Sequence, residues 1–173
     1  MRTCDIFYPS TNGIDAIVAK IWQPEKPARG IIQISHGMCE YIDRYENFAK
    51  FLTENGFFVC ANNHLGHGAS ASSKERLGYF AKQGGEKFLV DDLHTLTNMM
   101  KMKYPGLPVL LFGHSMGSFI ARNYVIKYGQ ELDAAIFCGT SGPNPGARAG
   151  KKLAALESRW HGEMYRSPWI QQL

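Results

Sequence analysis

The 173-residue sequence has no long hydrophobic run, because its longest apolar stretches, residues 57–61 and 134–138, are five residues each. A membrane-spanning helix needs about 20 such residues, so the sequence predicts none. The first residues also lack the apolar stretch of a secretory signal. Cysteine is scarce, and the four cysteines, at positions 4, 39, 60 and 138, are not closely spaced. We therefore expect reduced thiols and a cytoplasmic protein.

The composition is that of a globular protein, with 45% apolar, 20% charged and 12% aromatic residues. Folding at this length buries about 70% of the unfolded surface, enough for one core but hardly for two. The net charge of +4 is concentrated in residues 143–173, which carry five basic and two acidic side chains. These basic residues lack the interleaved aromatics of a nucleic-acid surface, so no nucleic-acid partner is predicted.

The order of the predicted elements favours an α/β fold. A hairpin-like pair of strands comes first, and strands then alternate with helices, which predicts a mostly parallel sheet covered on both faces. The predicted strands are residues 3–8, 14–22, 31–35, 57–61, 108–112 and 134–138. The predicted helices are residues 43–55, 86–103 and 118–127.

The segment Gly113-His114-Ser115-Met116-Gly117 matches the pattern G-x-S-x-G between a predicted strand and a predicted helix. In this context a tight turn holds the serine in a strained conformation, and the two glycines remove side chains that would collide. The Ser115 hydroxyl would then be exposed at the carboxyl edge of the sheet. The sequence therefore predicts Ser115 as a nucleophile, with Gly113 and Gly117 supporting the turn.

A serine that transfers acyl groups also needs backbone donors for the developing oxyanion. One is the N–H of the residue after the nucleophile, here Met116. The other comes from a loop after an earlier strand, and His36-Gly37-Met38 follows the predicted strand at residues 31–35. We therefore predict the Met38 N–H as the second donor. Gly37 lets this loop turn close to the substrate, and His36 is a further supporting residue.

Four ordered motifs carry a resemblance to a known family. They are Ser35-His36-Gly37-Met38-Cys39-Glu40 with Arg44-Tyr45, Asn63-His64-Leu65-Gly66-His67-Gly68-Ala69-Ser70, Tyr104-Pro105-Gly106-Leu107-Pro108, and Gly113 to Gly117. Over residues 3–170 the chain resembles the amino-terminal part of α/β-hydrolases of the monoacylglycerol lipase and lysophospholipase type. Ser118 stands where members of this family often have glycine, and serine is small enough for the turn to survive.

The resemblance implies an α/β-hydrolase core over residues 1–142 and the start of a cap, or lid, over residues 143–173. It also implies a serine hydrolase that cleaves carboxylic esters of monoacylglycerols or lysophospholipids, without a metal or cofactor. A peptidase of the proline-iminopeptidase type or an acyltransferase uses the same nucleophile and oxyanion parts, so these activities stay open.

His64-x-x-His67 and His114 are predicted to have structural roles and no metal-binding or catalytic role. His64-x-x-His67 lies close to Cys60, but no fourth ligand for zinc is nearby, so no metal site is predicted. The resemblance implies that this loop packs at the sheet edge. His114 precedes the nucleophile in a strand, and its side chain is predicted to point away from Ser115 Oγ because neighbours in a strand face opposite sides.

Residues 151–160 are predicted to form an amphipathic helix, with Leu153, Leu156 and Trp160 on one stripe opposite a basic face. One interpretation is a lid surface for an acyl chain, whose basic side chains favour peripheral contact with an anionic membrane. The other is a helix that simply packs on the domain. The sequence leaves both open.

The general base and its acid are not evident. In α/β-hydrolases the chain order is serine, acid, histidine, and only His161 follows Ser115. Glu131 and Asp133 precede the last predicted strand, at the sheet edge opposite Ser115, while Glu157 and Glu163 lie in the cap-like segment. At about 30 residues per strand–helix unit, roughly a hundred residues of the family pattern are absent. We therefore expect a fragment with little or no esterase activity by itself.

Two alternatives remain for the short chain. It could be a complete but inactive remnant that binds or scaffolds, or His161 could serve as a surrogate base. In either case, residues 134–138 would form an exposed hydrophobic sheet edge, which predicts self-association.

Overall fold

The computed structural model describes residues 1–168, and its elements follow the predicted order. The strands are β1 (Arg2–Pro9), β2 (Ala16–Gln23), β3 (Gly30–Ser35), β4 (Phe57–Asn62), β5 (Val109–His114) and β6 (Ala134–Cys138). The helices are α1 (Glu46–Glu54), α2 (Gly85–Lys103), α3 (Met116–Tyr128) and α4 (Ala147–His161). Short 3₁₀ turns lie at Ile42–Tyr45, Gly68–Ser70 and Gly129–Glu131.

The strands form one sheet in the order β1-β2-β4-β3-β5-β6. β1 and β2 make an antiparallel hairpin, β2 pairs antiparallel with β4, and β4, β3, β5 and β6 run parallel. Ser35 pairs with Gly113, and His114 pairs with Cys138. The predicted mostly parallel sheet is confirmed, and the loops after β3, β5 and β6 leave it at the same edge.

Helices cover both faces of the sheet, and β3 shows why. All six of its residues are buried. Because side chains alternate across a strand, Ile31 packs towards α2 and α3, whereas Ile32 and Ile34 pack towards α1. The cluster on the first face includes Leu93, Leu96, Leu111, Ala121 and Tyr124, and the cluster on the second includes Trp22, Ala49, Leu52 and Val59.

A buried polar chain ties α2 and α3 to the centre of the sheet. Gln33 of β3 donates through Nε2 to the Leu93 carbonyl at 2.8 Å and accepts the Thr97 hydroxyl at 2.6 Å. The Tyr124 hydroxyl donates to Thr97 Oγ1 at 2.9 Å. Buried polar groups cost free energy unless they are hydrogen-bonded. These hydrogen bonds therefore restrict how α2 and α3 can pack on β3.

Asp92 of α2 anchors the amino-terminal hairpin. Its buried carboxylate accepts hydrogen bonds from the Ser10 hydroxyl at 2.8 Å, the Thr11 hydroxyl at 2.8 Å and the Thr11 N–H at 2.6 Å. The Tyr8 hydroxyl donates to the Asp92 carbonyl at 2.9 Å. Burial raises the pKa of Asp92 above its ordinary value, although the bonds from Ser10 and Thr11 oppose this shift.

Two helices begin earlier than their sequence patterns predicted. α3 begins at Met116, directly after Ser115, rather than at residue 118. α4 begins at Ala147 rather than at residue 151. Glycines at positions 117 and 150 lower helix propensity near these starts, but propensity is a weak guide where other contacts decide.

The chain divides into two compact units, Met1–Thr140 and Ser141–Leu173. The first contains the sheet with α1, α2 and α3, and the second contains α4. On α4, Leu153, Leu156 and Trp160 are exposed, as are Lys151 and Lys152. No helix within residues 1–168 is both long and apolar enough to cross a membrane.

Candidate active site

Ser115 stands in the tight turn between β5 and α3. Its φ of 52° and ψ of −120° lie where residues other than glycine are rarely found. Its N–H donates to the Cys138 carbonyl of β6 at 2.9 Å, and its carbonyl accepts the Ser118 N–H at 2.8 Å. These bonds hold the strained residue at the amino-terminal end of α3. Such a strand–turn–helix is the setting in which a serine hydroxyl serves as a nucleophile.

The glycines on either side of Ser115 allow close packing at this turn. A Cβ on Gly117 would lie 1.9 Å from the Ser35 carbonyl oxygen, and a Cβ on Gly113 would lie 2.5 Å from the Gly117 carbonyl oxygen. Real Cβ atoms do not approach other atoms this closely. α3 can therefore begin against the end of β3 only because Gly117 has no side chain, and it can pack closely on β5 only because Gly113 has none.

The loop after β3 lies beside the nucleophile. A Cβ on Gly37 would lie 3.2 Å from Ser115 Cβ. In the described part of the chain, neither the Met38 N–H nor the Met116 N–H donates to a protein acceptor. The Met116 N–H belongs to the first turn of α3, whose N–H groups have no partner within the helix. The loop that carries Met38 thus lies beside Ser115, and Met116 directly follows Ser115 in the chain.

His36 is fully buried in a cluster of three histidine rings. Its Nδ1 lies 2.8 Å from the Gly37 carbonyl oxygen, and its Nε2 accepts the His64 N–H at 3.0 Å. The ring centroids of His64 and His67 lie 4.3 and 5.3 Å from that of His36. Burial lowers the pKa of His36 to about 4 and lowers that of His64 well below its ordinary value. Both rings are therefore neutral at pH 7.

The loop that carries His64 and His67 packs against its surroundings. His64 Nε2 lies 3.0 Å from Ser35 Oγ, and His67 Nδ1 lies 3.0 Å from the Leu65 carbonyl oxygen. Asn63 Oδ1 accepts the Ile42 N–H at 2.9 Å. Over residues 1–168, no three side chains of the metal-ligating types are grouped so as to hold an ion. The contacts of this loop connect β4 to the segment that follows β3.

Glu40 joins the loop after β3 to the residue before the nucleophile. Its Oε2 accepts the Gly37 N–H and the Tyr45 hydroxyl, each at 2.7 Å, and lies 3.4 Å from His114 Nδ1. Burial raises the pKa of Glu40, but the bonds from Tyr45, Gly37 and His114 outweigh burial and hold this pKa below its ordinary value. Sequence reasoning assigned no role to Glu40 or Tyr45, although both stand in the motif that carried the resemblance.

The histidines of residues 1–140 all have ring partners other than Ser115. The contacts of His36, His64 and His67 are described above, and His114 lies against Glu40 and Tyr45. His94 lies 3.0 Å from Glu131 Oε1 and stacks on Tyr128. Within this unit, the geometry places no imidazole as a base for Ser115.

The acidic candidates of this unit are also engaged elsewhere. Asp133 accepts the N–H of Val109, the first residue of β5, at 2.7 Å, whereas Ser115 follows the last residue of β5. Glu131 contacts His94 and the Lys101 ammonium. In the second unit, the ring of His161 stacks on that of Tyr165. Asp133 and Glu131 therefore lie at the amino edge of the parallel strands, opposite the nucleophile.

The buried histidines predict a loss of stability in acid. Because the pKa of His36 is lowered from 6.5 to about 4, the unfolded chain binds more protons than the folded one between these values. The free energy of unfolding therefore falls as pH drops from about 6.5, and His36 alone accounts for about 3 kcal/mol by pH 4. Urea unfolding at several pH values measures this. The His36→Asn variant should show a smaller pH dependence, and stability unchanged from pH 7 to 4.5 would contradict the prediction.

Known proteins resemble this chain in sequence. A family model described as serine aminopeptidase, S33, matches residues 26–171. A monoacylglycerol lipase of Mycolicibacterium smegmatis is 32% identical over 71% of this chain and 42% of that protein. The human monoglyceride lipase is 35% identical, over 61% of this chain and 33% of that protein. The chain thus spans less than half the length of these relatives.

Solved structures share the fold. A carboxyl esterase from Bacillus coagulans, in complex with glycerol, matches with a TM-score of 0.84 and 36% identity over 92% of this chain and 51% of that one. A monoglyceride lipase from Saccharomyces cerevisiae, in complex with a substrate analog, matches with a TM-score of 0.70 and 21% identity. The match covers 90% of this chain and 52% of that one. With most of its length matched by the family model, the chain belongs to the serine aminopeptidase S33 family, as an α/β-hydrolase of the monoacylglycerol lipase type.

Proposed function

We propose that this chain provides the nucleophile and oxyanion donors of a serine hydrolase that cleaves carboxylic esters of monoacylglycerols or lysophospholipids. Ser115 Oγ attacks the ester carbonyl, the glycerol-containing alcohol leaves with a proton, and water then releases the fatty acid from the acyl-enzyme. The Met38 and Met116 N–H groups stabilise the oxyanion in both steps. The strained Ser115 beside two unpaired N–H groups carries this proposal.

The relatives support the substrate class. The Mycolicibacterium smegmatis and human proteins are named as monoacylglycerol and monoglyceride lipases, and the Bacillus coagulans protein is a carboxyl esterase in complex with glycerol. Each of these names concerns a fatty ester or the alcohol that such an ester contains. A small lipid ester is therefore the substrate that we propose here.

We further propose that residues 143–173, of which the structure describes 143–168, begin a cap and that the general base and its acid lie outside residues 1–140. The histidines and the acidic candidates of that range all have other partners, as described above. A polypeptide equivalent to the part of the relatives that this chain does not span would supply both groups. The alternative within this chain is His161 acting as a surrogate base.

A chimera tests the proposed function. The chain is joined to the half of the Bacillus coagulans esterase that has no counterpart in it, and hydrolysis of a monoacylglycerol is measured against the chain alone. We expect the chimera to gain at least about 10³-fold in rate, because base and acid catalysis are restored. The same chimera with Ser115→Ala is the matched control. A folded chimera whose activity survives Ser115→Ala would refute Ser115 as the nucleophile.

A second candidate activity follows from the family description, which names a serine aminopeptidase. Amide and ester cleavage share the serine nucleophile and the oxyanion donors, so the turn at Ser115 serves either reaction. Assaying the same chimera with an amino-terminal prolyl anilide distinguishes the peptidase activity from the esterase activity. Faster turnover of the anilide than of the monoacylglycerol would favour the peptidase. A chimera that binds lipid esters but turns over neither substrate would favour a non-catalytic binding role.

The exposed face of α4 suits peripheral contact with an anionic membrane. Lys151 and Lys152 are exposed on the same helix as the apolar stripe of Leu153, Leu156 and Trp160, and each basic residue near a membrane surface contributes about 1 kcal/mol of attraction. We expect sedimentation with phosphatidylserine-containing vesicles to exceed that with phosphatidylcholine alone. Replacing both lysines with glutamine should weaken this binding roughly 30-fold. Equal replacements at Lys26 and Lys50 are the control, and equal binding to both vesicles would refute the idea.

The edge of β6 is proposed to drive self-association. Parallel strands are usually buried on both faces, yet Ile136 is 50% exposed, and in the described residues β6 pairs with β5 alone. We expect light scattering to show dimers or larger species whose fraction rises with concentration. Ile136→Lys should shift the chain towards monomer, whereas Ile14→Lys, in the exposed hairpin turn, should not. A clean monomer at every concentration would contradict this prediction.

A further inference from the structure

We propose that His36 is a positioning residue that orients the Gly37–Met38 peptide so that the Met38 N–H serves as an oxyanion donor. The inference deepens the proposed function and rests on it, because it concerns how one of the two donors at Ser115 is held.

The hydrogen bonds of His36 define one tautomer. A carbonyl oxygen can only accept, so the 2.8 Å contact with the Gly37 carbonyl requires a proton on Nδ1. The His64 N–H can only donate, so the 3.0 Å contact requires a lone pair on Nε2. A neutral imidazole with its proton on Nδ1 satisfies both. Burial keeps His36 in this neutral form at pH 7 by lowering its pKa.

The bond to the Gly37 carbonyl also determines where the Met38 N–H points. The carbonyl of residue 37 and the N–H of residue 38 belong to one planar peptide unit, and in a trans peptide they point in opposite directions. No peptide bond within residues 1–168 is cis. Since the Gly37 carbonyl points at the buried His36 ring, the Met38 N–H points away from that ring, and Met38 itself is 67% exposed.

Gly37 needs such external support. A Cβ at this position would lie 2.9 Å from Glu40 Oε2 and 3.2 Å from Ser115 Cβ, so a side chain would crowd the nucleophile. Glycine also has the most backbone freedom of any residue. The His36 ring restrains the peptide after Gly37, and the Glu40 carboxylate restrains the peptide before it through the Gly37 N–H. The two bonds supply the rigidity that glycine lacks.

Two substitutions separate positioning from packing. In His36→Asn the side-chain amide nitrogen can occupy the place of Nδ1 and donate to the Gly37 carbonyl, whereas in His36→Gln the amide reaches only the place of Nε2. His67→Asn is the control, since His67 belongs to the same ring cluster but its Nδ1 contacts the Leu65 carbonyl. All variants are made in the 173-residue chain, and their folding is checked by thermal unfolding.

The first measurement is the rate at which a fluorophosphonate forms an adduct at Ser115, at pH 8.5, with the site identified by peptide mass spectrometry. Loss of one oxyanion donor lowers the rate about 10²–10³-fold. We expect His36→Gln to react about 10²-fold more slowly than the unsubstituted chain, and His36→Asn and His67→Asn to stay within about fivefold. Equal rates for His36→Asn and His36→Gln would overturn the proposal.

The second measurement is independent of reactivity. Nitrogen-15 NMR of the unsubstituted chain, labelled at histidine, reports which ring nitrogen of His36 carries the proton. A proton on Nδ1 supports the proposal, and a proton on Nε2 overturns it, even if His36→Gln does not fold. If Ser115 of the unsubstituted chain does not react at all, the missing base accounts for that result, and the tautomer alone decides whether His36 holds the Gly37 carbonyl. The proposed function is refuted separately, by a folded chimera whose activity survives Ser115→Ala.

Discussion

Replacing Gly117 with alanine is expected to abolish cooperative folding of residues 1–140. The added methyl group would lie 1.9 Å from the Ser35 carbonyl oxygen and 2.6 Å from that of His36. The Ser35 carbonyl cannot move aside easily, since β3 is paired with β4 on one side and β5 on the other. We expect a loss of more than about 4 kcal/mol, a large part of the 5–15 kcal/mol that stabilises a typical domain. Urea unfolding followed by circular dichroism measures this loss.

Gly150→Ala is the matched control for this substitution. Gly150 lies within α4, and a Cβ there meets no atom within 4 Å. The same change should therefore leave the main unfolding transition unchanged and add up to about 1 kcal/mol to the stability of the helix. A Gly117→Ala protein that unfolds at the same urea concentration as the unsubstituted chain would show that α3 does not begin against β3 as described.

The 173-residue chain by itself is expected to hydrolyse a short p-nitrophenyl ester about 10⁶-fold more slowly than an intact triad enzyme. Ser115 Oγ is a weak nucleophile until a histidine removes its proton, and the five histidines of residues 1–140 have other ring partners. The oxyanion donors and substrate binding alone should leave a rate about 10³–10⁴-fold above that of the uncatalysed reaction. Initial rates at pH 7, compared with those of a folded Ser115→Ala variant, measure this residual activity.

Rapid ester hydrolysis that disappears in Ser115→Ala would contradict this expectation. It would mean that a base for Ser115 lies within the chain, and loss of the activity in His161→Ala would identify it. The His94→Ala variant is the control, since His94 contacts Glu131 near the opposite end of the parallel strands. Fast and stoichiometric labelling of Ser115 by a fluorophosphonate at pH 7 would lead to the same conclusion.

The sequence was sufficient to predict the fold class and most element positions. Local signals carry this information: alternating or continuous apolar runs define strands such as β4, and apolar side chains at three- and four-residue spacing define α2. The turn at Ser115 was predictable for the same reason, since its two glycines and its place between strand and helix are all local. The mostly parallel sheet followed from the alternation of strands with helices.

The contacts that support the candidate site were not predictable in this way. Glu40 accepts the Gly37 N–H and lies beside His114, 74 positions further along the chain. Asp92 has the periodicity of an ordinary helix residue, yet its carboxylate is buried against Ser10 and Thr11. A single sequence specifies neither the distance nor the direction of such pairs, since they depend on how helices and loops pack on the sheet.

By itself, the sequence determined what each segment of this protein prefers locally: which residues form strands, which form helices, and which serine stands between glycines in a turn. Only the tertiary structure decided that the Ser115 N–H donates to the Cys138 carbonyl of β6 and that His36 is buried with its Nδ1 on the Gly37 carbonyl. The physical reason is that hydrogen bonds and close contacts are made between segments far apart in the chain. Their geometry exists only once the sheet has brought those segments together.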